Sequence, residues 1–594
     1  MKKTFINKYF VIIIFILNLQ LQLHAQNVGI GIVAPAAKLH IKGTANISQL
    51  IIDANGTQGN TNPLFKLRNS TGKDLMWIHS DDSNNIFIGQ FAGRVNNVSV
   101  NGGFANTFIG SGCGNSNNNG YWNTAIGTRA LYSNTIGFAN TVQGYTAFYS
   151  NTTGQNNSAF GMSSLYSNTT GFFNTAIGAS ALYNNTSGRE NTATGLYALY
   201  NNSTGEYNTA MGSSSLMTNM TGSFNSAVGM NSLHSNTIGD NSTAIGFNAL
   251  YSSTNGIQNT ATGAEALFSN TIGSNNTATG RAALFSNTDG LGNTATGVQA
   301  LYYNTTGQGN TANGASALFK NTIGWLNTAN GGAALYSNTT GSYNVAIGDE
   351  ALHLNTTGAA NVAIGSGALS RIIISDNNTV IGAGACSIYN IGSFNTLIGS
   401  HSDCNADGMF DCIAVGVNSR ATANYQARIG NANITSIGGY VSWTNISDGR
   451  IKKNIQYNVP GLSFINKLEP VTYNLDLEAA DKIIQLEEKK DRDSKIIPAS
   501  QFETDARKQK EQIIYTGFIA QDVEKTAKQL GYDFSGVDVA KNDKDLYGLR
   551  YAEFVVPLVK AVQELSKENE ELKKQNDKLL KRIEKIEILF TTKK

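Results

Sequence analysis

Ser447 and Lys452 are the pair of side chains in this sequence whose types and spacing could do chemistry. They lie in the run Ser447-Asp448-Gly449-Arg450-Ile451-Lys452-Lys453-Asn454-Ile455. A serine that directly follows a peptide bond can attack the carbonyl before it. The acyl chain moves to the hydroxyl oxygen, and water then completes the cut. The hydroxyl needs a base, and lysine serves only when neutral, a state favoured by burial or nearby positive charge. Arg450 and Lys453 flank Lys452 and act in that direction. A turn or chain crossing over the five positions would bring the two groups together, and Asp448 would cap the following segment or orient the serine. The same residues also read as a capped turn, Ser447-Asp448, followed by an exposed lysine.

The run sits where composition changes. The chain has 594 residues, 14% of them charged, with 62 Gly, 6 Pro and a net charge of +2. That balance implies no strong pull toward nucleic acid. Acids and bases are sparse between about Asn101 and Tyr440 and dense in the last quarter, so at least two regions stay folded in different ways. At the start, Lys2, Lys3 and Lys8 precede the apolar run Tyr9–Leu17, and Leu23-His24-Ala25 ends in a small residue. This is the layout of a signal peptide cleaved near Ala25, with a secreted or cell-surface product. The apolar run is short for a membrane anchor and is followed by Asn18, Gln20 and Gln22. Cys113, Cys386, Cys404 and Cys412 are too few for a disulfide framework and act at most as local staples, with Cys404 and Cys412 close enough to pair.

The strongest pattern is a glycine every 17 residues, 19 times without a slip, from Gly110 to Gly416. The unit reads N-T-A-x-G-x-x-A-L-Y-x-N-T-x-G-x-x, with a second glycine ten residues after the first, as at Gly137 and Gly154. A fixed period this short means stacked coils. Seventeen residues leave no room for two helices but suit two short strands and two turns. Asn and Gly would supply positive φ at the turns. Ala130-Leu131 and its equivalents would form inward ladders, and Tyr132, Tyr149, Tyr166, Tyr183 and Tyr200 a ladder facing outward or between chains. At roughly 4.8 Å per coil, the stack would be about 90 Å long. Each coil holds little apolar material against an ordering cost of about 1–2 kcal/mol per residue, so association of three identical chains is expected. Before the repeat, Gln26 to about Phe104 reads as short strands and turns forming a shaft base or attachment end. Within the repeat, Asp403-Cys404-Asn405-Ala406-Asp407-Gly408 resembles half a calcium loop, but Ala414 stands where the closing glutamate belongs. A solvated turn pinned by a Cys404–Cys412 bridge is the favoured account, and no metal or cofactor is expected.

The motif Asn123-Thr124-Ala125-Ile126-Gly127 resembles the N-x-A-I-G repeats of trimeric autotransporter adhesin heads, which are β-rolls, although the repeat length differs. Downstream, Ser447–Ile455, Leu468-Glu469-Pro470-Val471-Thr472-Tyr473 and Gly517-Phe518-Ile519-Ala520-Gln521-Asp522-Val523-Glu524 precede a closing heptad region. In that order they resemble the intramolecular chaperone domain of phage tailspikes and tail fibres, the S74 peptidase domain. The resemblance implies trimerisation, assembly of the β-structured fibre ahead of it, and self-cleavage between Ile446 and Ser447. Ser447 and Lys452 would then be the catalytic pair, with Asp448, Arg450 and Asn454 in support. The heptads place Leu558, Leu565, Leu572, Leu579 and Ile586 seven apart, and Val555, Val562, Asn569, Asn576, Ile583 and Phe590 seven apart in the offset register. That is the seam of a coiled coil, with two asparagines that set register and strand number.

The expected fold is mainly β: a trimeric β-solenoid or β-roll of 17-residue repeats, then a small α+β chaperone domain ending in a trimeric coiled coil. The expected order is signal peptide (1–25), β-rich shaft or attachment region (26–104), solenoid (105–420), connector (421–446), chaperone domain (447–554) and coiled coil (555–594). The expected function is a secreted homotrimeric fibre or adhesin-like protein with a single-turnover self-cleaving serine peptidase and no activity on other substrates. Its partners would be copies of itself and a cell-surface, glycan or other extracellular target, without nucleic acid. Two alternatives stand beside this. One is an ice- or glycan-binding solenoid, on its repeated threonines, with a clamp that does not cleave. The other is the stalk of a secreted hydrolase.

Overall fold

The computed structural model describes residues 28–30, 37–43, 48, 50–53, 62–99, 101–440, 443–485 and 501–592. The expected signal peptide with its cleavage point at Ala25, and residues 486–500 of the charged insert, lie outside the described residues. The chain divides into two compact units, Met1–Thr170 and Gly171–Lys594.

In the first unit, β1 (Val28–Ile30) runs parallel to β2 (Leu39–Ile41). Next, β3 (Phe65–Arg68), β4 (Asp74–His79) and β5 (Ile86–Ile88) form an antiparallel meander. Asp74 pins it by accepting from Arg68 Nε at 2.7 Å and from Trp77 Nε1 at 2.9 Å. The pairing then turns parallel: β5, β6 (Thr107–Ile109), β7 (Thr124–Ile126), β8 (Thr141–Gln143) and β9 (Ser158–Phe160) stack in register. The stack therefore starts at β5, one coil before the 17-residue period.

The second unit repeats the plan. Strands of three residues recur every 17 positions from β10 (Thr175–Ile177) to β23 (Thr396–Ile398), each parallel to the next. After β24 (Asp403–Cys404), β25 (Ile413–Val415) and β26 (Arg420–Ala421), a last strand β27 (Ala427–Ile429) pairs with β25. The stack thus runs one shortened coil past Gly416, where the sequence period ends.

Until the last coils, where β24 and β26 add a short second pair, each coil holds one strand, where two were expected. In the coil that begins at Asn123, only Thr124–Ile126 is extended. On the opposite side Arg129 and Leu131 take φ of 55° and 52°. Positive φ at alternate residues bends the ribbon and aims its amides along the stack. Arg129 N–H donates to Ser111 O, Leu131 N–H to Ala147 O and Ser133 N–H to Tyr149 O, each at 2.9 Å. Backbone polar groups are paired between coils without a second strand. A left-handed leucine costs about 1–2 kcal/mol, and burying its side chain returns about 1.5–3 kcal/mol. Positive φ therefore falls on the buried leucine of nearly every coil, not on the repeat asparagines.

The inward ladders are those expected. Ala125, Ala130 and Leu131 are fully buried, as are their equivalents along both stacks. The aromatic ladder is half-buried and packs within one chain: Tyr132 and Tyr149 stack at 5.0 Å, Phe268 and Phe285 at 5.0 Å.

The repeat asparagines line the interior as two amide ladders. Asn140 Nδ2 donates to Asn123 Oδ1 at 3.0 Å in one, and Asn151 Nδ2 to Asn134 Oδ1 at 2.6 Å in the other. The two ladders meet on the carbonyl of the second glycine: Asn123 Nδ2 and Asn134 Nδ2 both donate to Gly137 O at 2.9 Å. A Cβ on Gly137 would overlap Asn134 Oδ1 and Gly154 O, and one on Gly127 would overlap Gly144 O. Neither glycine can be replaced without moving the neighbouring coil.

Near the end of the second stack Cys412 takes the ladder position, its N–H donating to Asn395 Oδ1 at 3.0 Å. All four cysteines are buried free thiols, those of Cys404 and Cys412 beside each other. Of the half calcium loop, Asp403 is buried and accepts from Cys404 N–H, while Asp407 accepts from Asn390 N–H.

Asn219 receives from Asn236 and donates to Asn202 Oδ1 and Gly222 O. Asn219→Ala should cost about 1–3 kcal/mol of local stability. Amide hydrogen exchange should accelerate in the coils around residue 219 and leave distant coils unchanged; uniform exchange along the stack would contradict the ladder as the source of stability.

Candidate active site and the module behind it

Asp448 opens a single 3-10 turn, Gly449–Ile451, its Oδ1 accepting from Arg450 N–H at 2.9 Å. Lys452 closes the turn, with its N–H on Gly449 O. One reversal of the chain is enough to set residue 452 beside residue 447. Lys452 Nζ donates to Ser447 Oγ at 2.7 Å. Both side chains, and Ile446 on the other side of the bond, are exposed in the single chain.

Arg450 is turned onto Asp448, with Nε at 2.9 Å and Nη2 at 2.5 Å from Oδ2. This ion pair holds the Asp448 carboxyl below the usual carboxylate range. The positive charge of Arg450 is thereby matched locally instead of being directed at Lys452. Asn454 has φ of 54°, a conformation asparagine tolerates better than most residues. The site thus brings together Ser447 and Lys452, and separately Asp448 and Arg450; Asn454 shapes the backbone leaving it.

Behind the turn lies a compact module. Helix α1 (Leu462–Ile465) is followed by β28 (Val471–Tyr473), α2 (Leu477–Ile483), α3 (Gln501–Glu511), β29 (Tyr515–Gly517) and α4 (Ala520–Gln529). Strands β28 and β29 pair antiparallel, as do β30 (Val537–Asp538) and β31 (Gly548–Leu549). The core is Phe464, Val523, Ala527, Phe534 and Phe554, with Leu468 and Phe518 packed against it. The two later motifs are therefore structural. Leu468 and Val471–Tyr473 contribute core and strand. Gly517 lies where a Cβ would strike the Tyr551 hydroxyl, which accepts from Phe518 N–H at 3.2 Å. Val523 enters the core, and Glu524 pairs with Lys528 at 2.6 Å.

The last element, α5 (Val555–Thr591), is one continuous helix of 37 residues. It is anchored at its start, where Glu564 accepts from Leu462 N–H at 2.8 Å. Its seam of Leu558, Leu565, Leu572, Leu579 and Ile586 faces solvent.

Residues 447–532 match the Peptidase_S74 family, described as chaperone of endosialidase. The matched stretch opens on Ser447 and covers the turn, α1 to α4 and the strands between. No curated protein matches the chain. An endosialidase-type chaperone domain behind a solenoid supports a tail-fibre-like assembly role, and the family implies trimeric assembly.

Sequence reasoning did not single out Asp545, Thr422 and Arg428, which join the module to the last coil. Asp545 lies 123 residues from Thr422 and 117 from Arg428, and the three share no local motif.

Phe554 stacks on Phe518 at 5.5 Å and meets Phe534 edge-on at 4.8 Å. Phe554→Ala should destabilise the module by about 3–5 kcal/mol. Chemical denaturation followed by near-ultraviolet circular dichroism checks this; an unchanged midpoint would remove Phe554 from the core.

Proposed function

We propose that this protein is an exported, homotrimeric fibre whose C-terminal module assembles the solenoid and then cuts the chain between Ile446 and Ser447. The observation that carries it is the 2.7 Å contact of Lys452 Nζ with Ser447 Oγ, at the first residue of the stretch matched to the chaperone family. Lys452 in its neutral form takes the hydroxyl proton. The Ser447 oxygen attacks the Ile446 carbonyl carbon, and the C–N bond breaks as the Ser447 nitrogen takes up a proton. The resulting ester is hydrolysed by water, leaving a carboxylate on Ile446 and the restored serine at the new N-terminus. Neutral lysine requires exclusion of water. Both groups are exposed in the single chain, so packing of neighbouring copies would supply that exclusion and couple the cut to assembly.

Trimerisation rests on α5. Its apolar seam follows heptad spacing and is uncovered in one chain. Three such helices would bury it, with Asn569 and Asn576 pairing across the axis. Export rests on the charged and apolar pattern of the first 25 residues.

The strand face favours a second activity on a separate observation. Thr260 and Thr262, Thr277 and Thr279, and Thr294 and Thr296 lie in register on three successive strands, pointing away from the buried alanine between each pair. Rows of hydroxyls about 4.8 Å apart suit an ordered ligand such as ice or a crystalline glycan. Thermal hysteresis and polysaccharide pull-down test it, and the absence of both would leave the fibre role alone.

Wild type should yield two fragments by intact mass, split at Ile446–Ser447. Ser447→Ala should remain one chain that still trimerises, and Lys452→Met should slow cutting by about 10²–10⁴-fold. A Ser447→Ala chain still cut at this bond would remove Ser447 as nucleophile. Replacing Asn569 and Asn576 together by Ile should broaden the oligomer distribution seen by light scattering; an unchanged trimer mass would count against their role in setting strand number.

A further inference from the structure

Two buried polar contacts join the module to what precedes the proposed cut: Lys510 Nζ donates to Ile434 O in the connector, and a more extensive contact reaches the end of the solenoid. The latter is made by the loop between β30 and β31, at residues 541–547. Asp545 is 6% exposed. Its carboxylate accepts from Lys541 N–H at 3.1 Å and from Leu546 N–H at 3.0 Å, which fixes its direction within the loop. Across the contact it accepts from the Thr422 hydroxyl and from Arg428 Nη2 at 3.4 Å. The Thr422 hydroxyl also lies 2.9 Å from Gln426 Oε1. That oxygen also accepts from Thr422 N–H at 2.7 Å; the hydroxyl has one proton, which the ionised carboxylate attracts more strongly than the neutral amide oxygen does. A second prong is Asn542, whose Nδ2 donates to Thr422 O at 2.8 Å while its Oδ1 accepts from Lys544 N–H at 2.9 Å.

Apart from Asn405, whose Nδ2 lies 3.5 Å from Lys544 O, the solenoid partners belong to the shortened last coil. Thr422, Gln426 and Arg428 lie between β26 and the end of β27, and Gln426 O receives the Ile413 N–H that tethers this coil to the previous one. The loop therefore contacts a surface that exists only when the last coil has closed. The exposed segment Trp443–Ile446, in which the covalent connection would be cut, takes no part in these bonds.

We propose that the 541–547 loop is a noncovalent clasp that keeps residues 447–594 docked on the last coil after the main chain is cut. Release of the module is then a second event, controlled by Asp545, Thr422 and Arg428. The setting rests on the cleavage reading, but the clasp is tested without it. A recognition sequence for a site-specific endoprotease, inserted between Asn445 and Ile446 in a full-length Ser447→Ala chain, allows the cut to be made at will.

After that cut, the two pieces should co-elute in size-exclusion chromatography at micromolar concentration. Asp545→Ala should lower the retained fraction at least tenfold. Thr422→Val should lower it less, and adding it to Asp545→Ala should change nothing further, since both remove one bond. Separation of the pieces in the parent, or full retention in Asp545→Ala, would overturn the clasp. If circular dichroism shows the Asp545→Ala module unfolded, Thr422→Val and Arg428→Gln decide from the solenoid side: loss of retention supports the clasp, and unchanged retention in both refutes it. Failure of wild type to cut itself would bear on the dyad alone.

Discussion

The solenoid depends on a pair of buried amide ladders that converge on one carbonyl per coil. A coil with an alanine, another alanine and a leucine inside it has little apolar area to bury. Its interior is completed instead by asparagine side chains, which are tolerable there only when donors and acceptors are matched. The match is made between coils: each Asn of a ladder bonds the one 17 residues away, and both ladders bond the second glycine's carbonyl. An inserted residue would displace two amides and one carbonyl from their partners at once. The unslipping period is the sequence record of that constraint.

The same constraint accounts for the unusual backbone. With the amides fixed inside, the chain must turn within a few residues and still pair its N–H groups. Alternating left- and right-handed residues achieve this, at the cost of placing leucine at positive φ in nearly every coil. Burial of that leucine offsets the strain. The outward residues are then free to vary, and they change along the stack from isoleucine and methionine to threonine and back.

At the C-terminal end the organisation is different. The dyad is made by local structure alone, a single capped turn that brings Lys452 to Ser447. The module behind it is held by aromatic packing, and its connection to the solenoid by a buried carboxylate. In the proposed assembly these parts act in series: helix association concentrates the chains, closure of the last coil creates the surface that Asp545 grips, and the cut removes the covalent tie.

The 17-residue coil, its inward Ala-Leu ladder and the module at Ser447 were legible in the sequence, because each is written in spacing or in a contiguous motif. Leu131 at positive φ was not legible, since local preference argues against it and only the demands of stacking override that preference. The repeat asparagines do bond locally to backbone, as Asn134 does to Gly137 O, but they do not take the positive φ expected of them, because their burial comes from partners one coil away. Cys404 and Cys412 were rightly placed together, yet they meet as thiols. The Arg450–Asp448 pair, which redirects a charge expected to act on Lys452, depends on a rotamer that no spacing specifies. The sequence by itself determined the period, the one-dimensional order of parts and the chemistry available at the junction. The tertiary structure alone decided which groups face inward, how each coil turns, and that Asp545 meets Thr422 and Arg428, because those outcomes follow from pairing buried polar groups across distances that a linear pattern does not encode.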